Sequence, residues 1–231
     1  MNDRFDKLSE QNASLQILID QYNDADDYDD RDEVLQDIAA HPSEAASAFL
    51  KLVAEQDDDP STRCDAWCAL HKRQPSPESR AALLEALSPE RPYELVKVGE
   101  TFASATPDAE VAQRIWHTLA TPLPREAQSA ALAALESIDP DFVASAGQVL
   151  ARATDPSQLD YDLLEGVVRA LALQPASSAR PLLAGFRQRV LDLAQRHRDD
   201  AVLLEELAAF VNETMQLFEL GETKDDDDDD Q

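Results

Sequence analysis

The side chains best suited to chemistry lie on one predicted helix, where Cys64, Cys68 and His71 occupy positions i, i+4 and i+7. This spacing places two thiols and an imidazole on one helical face. Both groups are ligand types for zinc, but a structural zinc site needs a fourth ligand, and the sequence contains no second cysteine–histidine pair. We therefore interpret the three residues as buried core residues, with metal binding or redox use as the alternative.

A second candidate site is the segment from Asn23 to Glu33, which contains six aspartates and one glutamate in eleven residues. It does not match a calcium-binding EF-hand, since Asp29 stands where glycine is required and Leu35 where glutamate is required. The charge density predicts a loop whose last residues enter the next helix. We predict that this loop binds a basic partner, with a merely solvated linker as the alternative. The predicted partner-binding residues are Asp24, Asp26, Asp27, Tyr28, Asp29, Asp30 and Asp32.

No recognised catalytic motif accompanies these residues. The sequence lacks a GxSxG nucleophile motif, an HExxH metal motif and a glycine-rich phosphate loop. Acidic residues such as Glu94, Glu100 and Glu165 fall at helical spacing, and we expect them to face solvent. The sequence therefore predicts a protein that is not an enzyme and that uses no cofactor.

The elements that would position these residues recur at a fixed spacing. Prolines stand at positions 60, 92, 124 and 156, separated by equal intervals, and a fixed period of this size is typical of stacked helical repeats. Asp59 can cap a helix that begins at Pro60, and Pro75 and Pro77 separate this helix from the next. The chain has only five glycines and no alternating run of β-branched residues, which favours helices throughout.

The pattern D-P-x-x-R-x-x-A-x-x-A-L, followed by P-E-x-x-x-x-L-L-E-A-L, resembles the short HEAT-like repeat found in phycobilisome lyases and many bacterial proteins. The pattern is most complete from Asp59 to Leu87 and persists as spacing and apolar positions over residues 28–185. Arg63 has no counterpart at positions 95, 127 and 159. The resemblance implies an all-α fold, a right-handed α-α superhelix of about 11–12 helices. A shared fold implies little about function.

This organisation divides the chain into four predicted segments. They are an N-terminal capping helix at 1–22, HEAT-like repeats at 23–198, a C-terminal capping helix at 199–220 and a disordered acidic tail at 221–231. Within the repeats, helices are predicted at 31–40, 43–55, 60–73, 77–88, 92–104, 107–120, 124–137, 140–153, 157–173 and 176–195.

The formal net charge of −27 is concentrated at the two ends of the chain. Residues 1–59 carry 17 acidic and 4 basic side chains, residues 60–198 carry 17 and 15, and residues 199–231 carry 13 and 1. A field of this sign repels nucleic acid and anionic membranes and attracts basic proteins. The sequence also has no apolar run long enough to span a membrane and no secretory signal, so we predict a cytoplasmic protein that contacts neither membrane nor nucleic acid.

Three functional hypotheses follow from this charge pattern and from the resemblance. The first is a non-enzymatic protein that binds a basic protein partner and neutralises a toxin or effector, as bacterial immunity proteins do. The second is an adaptor or assembly factor that grips a peptide or helix in a concave groove. The third, implied by the repeat resemblance alone, is an enzyme like a chromophore lyase. The sequence leaves the partner's identity and the oligomeric state open.

Overall fold

The fold was analysed in a computed structural model, which describes residues 2–25, 27–88, 90–103 and 107–225. Within these ranges the chain forms twelve α-helices, one short 3-10 helix and no β-strand. The all-α prediction is therefore confirmed, and the number of helices agrees with the prediction. The handedness of a superhelix stays a prediction. The helices belong to two compact units, Met1–Ser104 and Ala105–Gln231.

Unit 1 contains the first six helices. In this unit α2 packs against α4 and α4 packs against α6, which is compatible with a helical repeat fold. The intervening helices α3 and α5 both pack against α4. The six helices are α1 (Asn2–Asp24), α2 (Tyr28–Ala40), α3 (Glu44–Gln56), α4 (Pro60–Arg73), α5 (Pro77–Ala86) and α6 (Pro92–Ala103).

Unit 2 contains the other six helices and follows the same scheme. Helix α8 packs against α10 and α10 packs against α12, while the long helices α11 and α12 form the most extensive helix pair. A short 3-10 helix (Pro156–Gln158) precedes α10. The six helices are α7 (Ala109–Leu119), α8 (Arg125–Ile138), α9 (Phe142–Arg152), α10 (Tyr161–Ala172), α11 (Ala176–Arg196) and α12 (Ala201–Asp225).

The regularly spaced prolines mark the starts of every second helix. Pro60 is the first residue of α4, where the Asp59 side chain accepts a hydrogen bond from the Thr62 backbone N–H. Pro92 begins α6 and Pro124 caps α8, whereas Pro156 begins the 3-10 helix before α10. Tyr28, the first residue of α2, lies one such interval before Pro60 and continues the same period. Proline suits these positions because the first helical N–H groups have no intrahelical partner.

The predicted loop in the acidic segment is shorter than expected, and its last residues enter the next helix as predicted. Helix α1 continues to Asp24 and α2 begins at Tyr28, so the two helices are separated by three residues, of which Asp26 lies outside the described residues. The Asp27 side chain caps α2 by accepting a hydrogen bond from the Asp30 N–H at 2.9 Å. The acidic first turn therefore fits a helix N-terminus, whose dipole stabilises negative charge.

The C-terminal helix is longer than predicted. Helix α12 continues to Asp225, so the first five residues of the predicted tail, 221–225, are helical. Adding residues to an existing helix costs much less than nucleating one, which explains how a polar extension can continue a packed helix. The rest of the predicted tail, 226–231, lies outside the described residues.

Both units have an apolar interior. Leu35, Ile38 and Leu50 are fully buried in unit 1, and Leu135 and Phe186 are fully buried in unit 2. The helices present these residues at helical spacing, which places them on the inward faces. None of the described helices is both long enough and apolar enough to cross a membrane.

Candidate functional site

The starts of α2 and α4 lie at the same edge of unit 1. The Tyr22 hydroxyl, in the last turn of α1, donates a hydrogen bond to Asp57 Oδ2 at 2.6 Å, which joins the end of α1 to the connection before α4. This edge carries a group of exposed carboxylates. We call it the acidic edge and define it by Asp24, Asp27, Asp29, Asp30 and Asp58.

The acidic edge has a surplus of negative charge that the described residues do not neutralise. None of its five aspartates forms an ion pair with a described lysine or arginine. Two arginines close to these aspartates in the sequence, Arg31 and Arg63, donate to backbone carbonyls instead. Arg31 Nε donates to the Ala25 carbonyl at 3.2 Å, and Arg63 Nη1 donates to the Asp57 carbonyl at 2.6 Å. The edge can therefore attract a cationic surface without first breaking an internal salt bridge.

Two of the predicted partner-binding residues contact the interior rather than only solvent. The Tyr28 hydroxyl donates to Asp65 Oδ2 at 2.6 Å and accepts from Lys97 Nζ at 2.6 Å. Asp32 Oδ1 lies 3.4 Å from the same ammonium group. Tyr28 is still 37% exposed, so part of its ring faces solvent although its hydroxyl is occupied. A role for Tyr28 and Asp32 in partner binding stays a prediction, and Asp26 lies outside the described residues.

Asp65 and Lys97 form an ion pair that joins α4 to α6. The distance from Lys97 Nζ to Asp65 Oδ1 is 2.7 Å, and the Lys97 and Asp65 side chains are 33% and 6% exposed, respectively. Burial raises the pKa of the Asp65 carboxyl, although hydrogen bonds from Lys97 and Tyr28 act in the opposite direction. Burial also acts to lower the pKa of Lys97, but its contacts with Asp65 and Tyr28 outweigh this and raise it. Burial dominates at the carboxylate because that group lies deeper than the ammonium.

Sequence analysis missed this ion pair, although a signal for it exists. Positions 65 and 97 are separated by the same interval as the prolines, so they are equivalent positions on neighbouring helices. Opposite charges at equivalent positions of successive repeats are expected to meet. The same spacing relates Arg63 to Arg31, which form similar hydrogen bonds to carbonyls six residues earlier. Arg63 therefore has a counterpart in the preceding repeat, although it has none in the following ones.

The expectation that Glu94 faces solvent is wrong. Glu94 is only 5% exposed, because it lies on the face of α6 that packs against α4. Its Oε1 accepts a hydrogen bond from Ser61 Oγ at 3.2 Å, whereas Oε2 has no hydrogen-bond partner and lies 3.7 Å from Arg91 Nε. Burial raises the pKa of this carboxyl. Glu100 is exposed as expected, and Glu165 is half-buried beside Arg169.

Cys64, Cys68 and His71 lie inside unit 1. Both thiols are free and buried. The hydrogen bond with Cys68 and burial raise the pKa of Cys64, which keeps it protonated. His71 Nδ1 lies 2.8 Å from Ser79 Oγ, and burial lowers the pKa of the imidazole. Among the described residues, no three or more histidine, cysteine, aspartate or glutamate side chains are grouped closely enough to hold a metal ion.

Unit 2 contains an open cleft of about 1100 Å³ between α7 and α9. Helix α7 contributes Gln113 and Trp116 to the lining, and α9 contributes Ser145 and Gln148. The Trp116 indole N–H donates a hydrogen bond to Asp139 Oδ2 at 2.7 Å, which fixes the ring beside a carboxylate. Sequence analysis did not identify this cleft.

Comparison of the chain with protein-family models, with curated proteins and with solved structures finds no match. The resemblance to HEAT-like repeats therefore depends on the sequence pattern, together with a helical packing that is compatible with a repeat fold. The functional argument depends on the acidic edge of unit 1 and on the cleft of unit 2.

Proposed function

We propose that this protein is a non-enzymatic binding protein whose acidic edge captures a basic protein partner. The observation that carries this proposal is the group of five exposed aspartates without a described cationic partner at one edge of unit 1. Solubility alone does not require this concentration of charge, because residues 60–198 are close to neutral, with 17 acidic and 15 basic side chains. Charge clustered at one edge suits association with a surface of opposite sign.

The proposed mechanism has two stages. The negative field of the edge first raises the rate at which a basic partner arrives in the correct orientation. Lysine and arginine side chains of the partner then pair with Asp27, Asp29 and Asp30, while the exposed part of the Tyr28 ring gives apolar contact. Tyr28 is held in place by Asp65 and Lys97, so little side-chain entropy is lost on binding.

We further propose that the partner is a toxin or effector that acts on an anionic target, and that the protein neutralises it in the cytoplasm. A partner that must bind nucleic acid or another polyanion carries a basic surface, and an acidic protein that covers this surface blocks its activity. The net charge of −27 supports competition with such a target. The free buried thiols at Cys64 and Cys68 are consistent with a reducing compartment.

The test is affinity capture from native lysate, identification of the captured protein by mass spectrometry, and titration of the purified pair. The variant Asp24→Asn, Asp27→Asn, Asp29→Asn and Asp30→Asn removes four charges and keeps a capping side chain at position 27. We expect it to bind at least about tenfold more weakly, equivalent to about 1.4 kcal/mol.

The matched control removes four charges from exposed positions of unit 2, namely Glu126→Gln, Glu205→Gln, Glu206→Gln and Glu213→Gln. We expect its affinity to stay within about twofold of wild type, because none of these four residues belongs to the acidic edge. Equal affinity of the acidic-edge variant and the wild type would rule out this edge as the binding surface.

A further inference from the structure

The cleft of unit 2 is lined on one side by α7 and on the other by α9. On α9, the lining residues Ser145, Gln148 and Arg152 follow the N-cap residue Asp141 at intervals of four, seven and eleven, which place them on one helical face. On α7, the lining includes Gln113 and Trp116. Side chains of both helices therefore border the same cleft.

The length of the two helices limits the length of an occupant. Helices α7 and α9 have 11 residues each, which corresponds to a length of about 16 Å. An extended chain of about five residues spans the same length.

The chemistry of the walls favours an extended chain. Gln113 and Gln148 are exposed on opposite walls, and each side chain can both donate and accept hydrogen bonds. A helix satisfies its own backbone groups and would leave these amides without partners from its backbone. An extended segment presents unpaired N–H and carbonyl groups on both sides. The two glutamines can therefore pair with its backbone.

The charges that line the cleft favour a basic side chain in its occupant. Five acidic residues and two arginines are among the described residues that line it. Asp139 lies beside Trp116, where Oδ2 accepts the indole N–H at 2.7 Å and Oδ1 accepts the Asp141 N–H at 2.8 Å. A lysine or arginine can pack its apolar stem on the tryptophan ring and pair its charge with Asp139 or Asp141.

We propose that this cleft binds an extended segment of about five residues from a partner protein, with a lysine or arginine placed between Trp116 and the Asp139–Asp141 pair. This second binding surface consists of residues of unit 2 and includes none of the acidic edge. It depends on the walls of unit 2, and the proposal stands independently of what the acidic edge binds.

The first test uses a positional-scanning library of end-blocked hexapeptides and the full-length protein labelled with ¹⁵N. We expect binding to require lysine or arginine in at least one position, and we expect bound peptides to shift the indole N–H resonance of Trp116 but not that of Trp67 in unit 1. Three results would overturn the proposal: no binding by any hexapeptide at millimolar concentration, equal binding of acidic peptides, or binding restricted to longer helical peptides.

The second test uses variants of the cleft with the best-binding hexapeptide. Asp141→Lys reverses a charge at an exposed residue whose side chain makes no capping hydrogen bond, and we expect at least a fivefold loss of affinity. Ser145→Trp fills the cleft and should reduce affinity at least tenfold. Glu205→Lys, at an exposed position of α12, is the control and should stay within twofold of wild type.

Circular dichroism melts show which variants are folded. If Ser145→Trp does not fold, Asp141→Lys alone decides the question. Unchanged affinity in Asp141→Lys would contradict the assignment of the cleft. The acidic-edge variant should bind the hexapeptide as wild type does, so a failure of this proposal and a failure of the proposed function give different results.

Discussion

The interiors of the two units differ in the polarity of their buried side chains. Unit 1 buries Asp65, Glu94 and His71 among its apolar residues. The buried polar side chains in the described part of unit 2 are neutral, namely Thr118, Gln128 and Thr214. Unit 1 thus buries ionisable side chains among its helices, whereas the buried polar residues in the described part of unit 2 are uncharged.

This difference has consequences for stability and for binding. A buried ion pair contributes little net stability, but removal of one partner leaves an uncompensated charge and is costly. In unit 1 the pair between Asp65 and Lys97 also positions Tyr28 at the acidic edge. Unit 2 has no charged group among its described buried residues, so its stability should be more sensitive to packing than to charge.

The largest expected effect comes from Lys97→Met, which leaves Asp65 buried without its cation. We expect the free energy of unfolding of unit 1 to fall by about 3–5 kcal/mol. The measurement is urea denaturation followed by Trp67 fluorescence in a Trp116→Phe background, because Trp67 reports on unit 1. The same measurement on Asp65→Asn combined with Lys97→Met should recover much of the loss.

Lys51→Met provides the matched control for Lys97→Met. Lys51 pairs with Glu78 at 2.9 Å, but its side chain is 46% exposed, and exposed pairs contribute little to stability. Lys51→Met should therefore lower the free energy of unfolding much less than Lys97→Met. If both lysine variants lose a similar free energy of unfolding, burial does not make the Asp65–Lys97 pair more important for stability than the exposed pair.

Two glycine substitutions test the packing in unit 2. We expect them to change its free energy of unfolding in opposite directions. A β-carbon at Gly166 would lie 2.7 Å from Leu132 Cδ1, whereas a β-carbon at Gly185 would meet Arg189 Nη1 at 3.8 Å. Gly166→Ala should destabilise unit 2 by about 1 kcal/mol, since overpacking outweighs the gain in helix propensity. Gly185→Ala should stabilise it by about 0.5–1 kcal/mol.

Urea denaturation followed by Trp116 fluorescence in a Trp67→Phe background measures both glycine effects. Equal stabilisation by the two alanines would show that the space around Gly166 is not tightly packed and would weaken the contrast between the two interiors.

A stability effect similar in size to those of the glycine substitutions concerns Glu94 and depends on pH. Burial raises the folded-state pKa of Glu94 above its unfolded value. The protonated carboxyl therefore contributes stability that is present below the unfolded pKa and is lost as the pH rises through the folded pKa. Glu94→Gln stays neutral, so it should be more stable than wild type at pH 7 by about 1 kcal/mol.

The difference in free energy of unfolding between Glu94→Gln and the wild type should decrease toward zero near pH 4, where the wild-type carboxyl is protonated as well. Urea denaturation at a series of pH values checks this. A variant that is less stable than wild type at pH 7 would mean that the Glu94 charge is stabilised by Arg91, 3.7 Å away.

The sequence predicts the helices well because their signals are local. The predicted helix at 60–73 coincides with α4 (Pro60–Arg73), where a capping aspartate precedes a proline. The length of the loop in the acidic segment is harder to predict, because charge density alone does not show that Asp27 caps a helix beginning at Tyr28. The position of Glu94 was missed because helical spacing alone does not show which face meets α4.

The candidate sites were harder to predict than the helices because they depend on contacts between helices. The ion pair of Asp65 with Lys97 could have been found by comparing residues one repeat apart, as could the hydrogen bond from Gln128 Nε2 to Asp160 at 2.7 Å. The cleft could not, since its shape depends on the separation of α7 and α9 and on the irregular connection before α10.

The most direct test of the acidic edge is the association rate with the captured partner as a function of ionic strength. The rates are measured by stopped flow for the wild type, the Asp24, Asp27, Asp29 and Asp30→Asn variant, and the four-charge unit 2 control. For the wild type and the control, we expect the rate to fall about tenfold or more between about 50 and 300 mM salt. The acidic-edge variant should associate slowly at all salt concentrations and show a weaker salt dependence. Equal rates and equal salt dependence in the acidic-edge variant and the unit 2 control would contradict the central claim that this edge captures the partner.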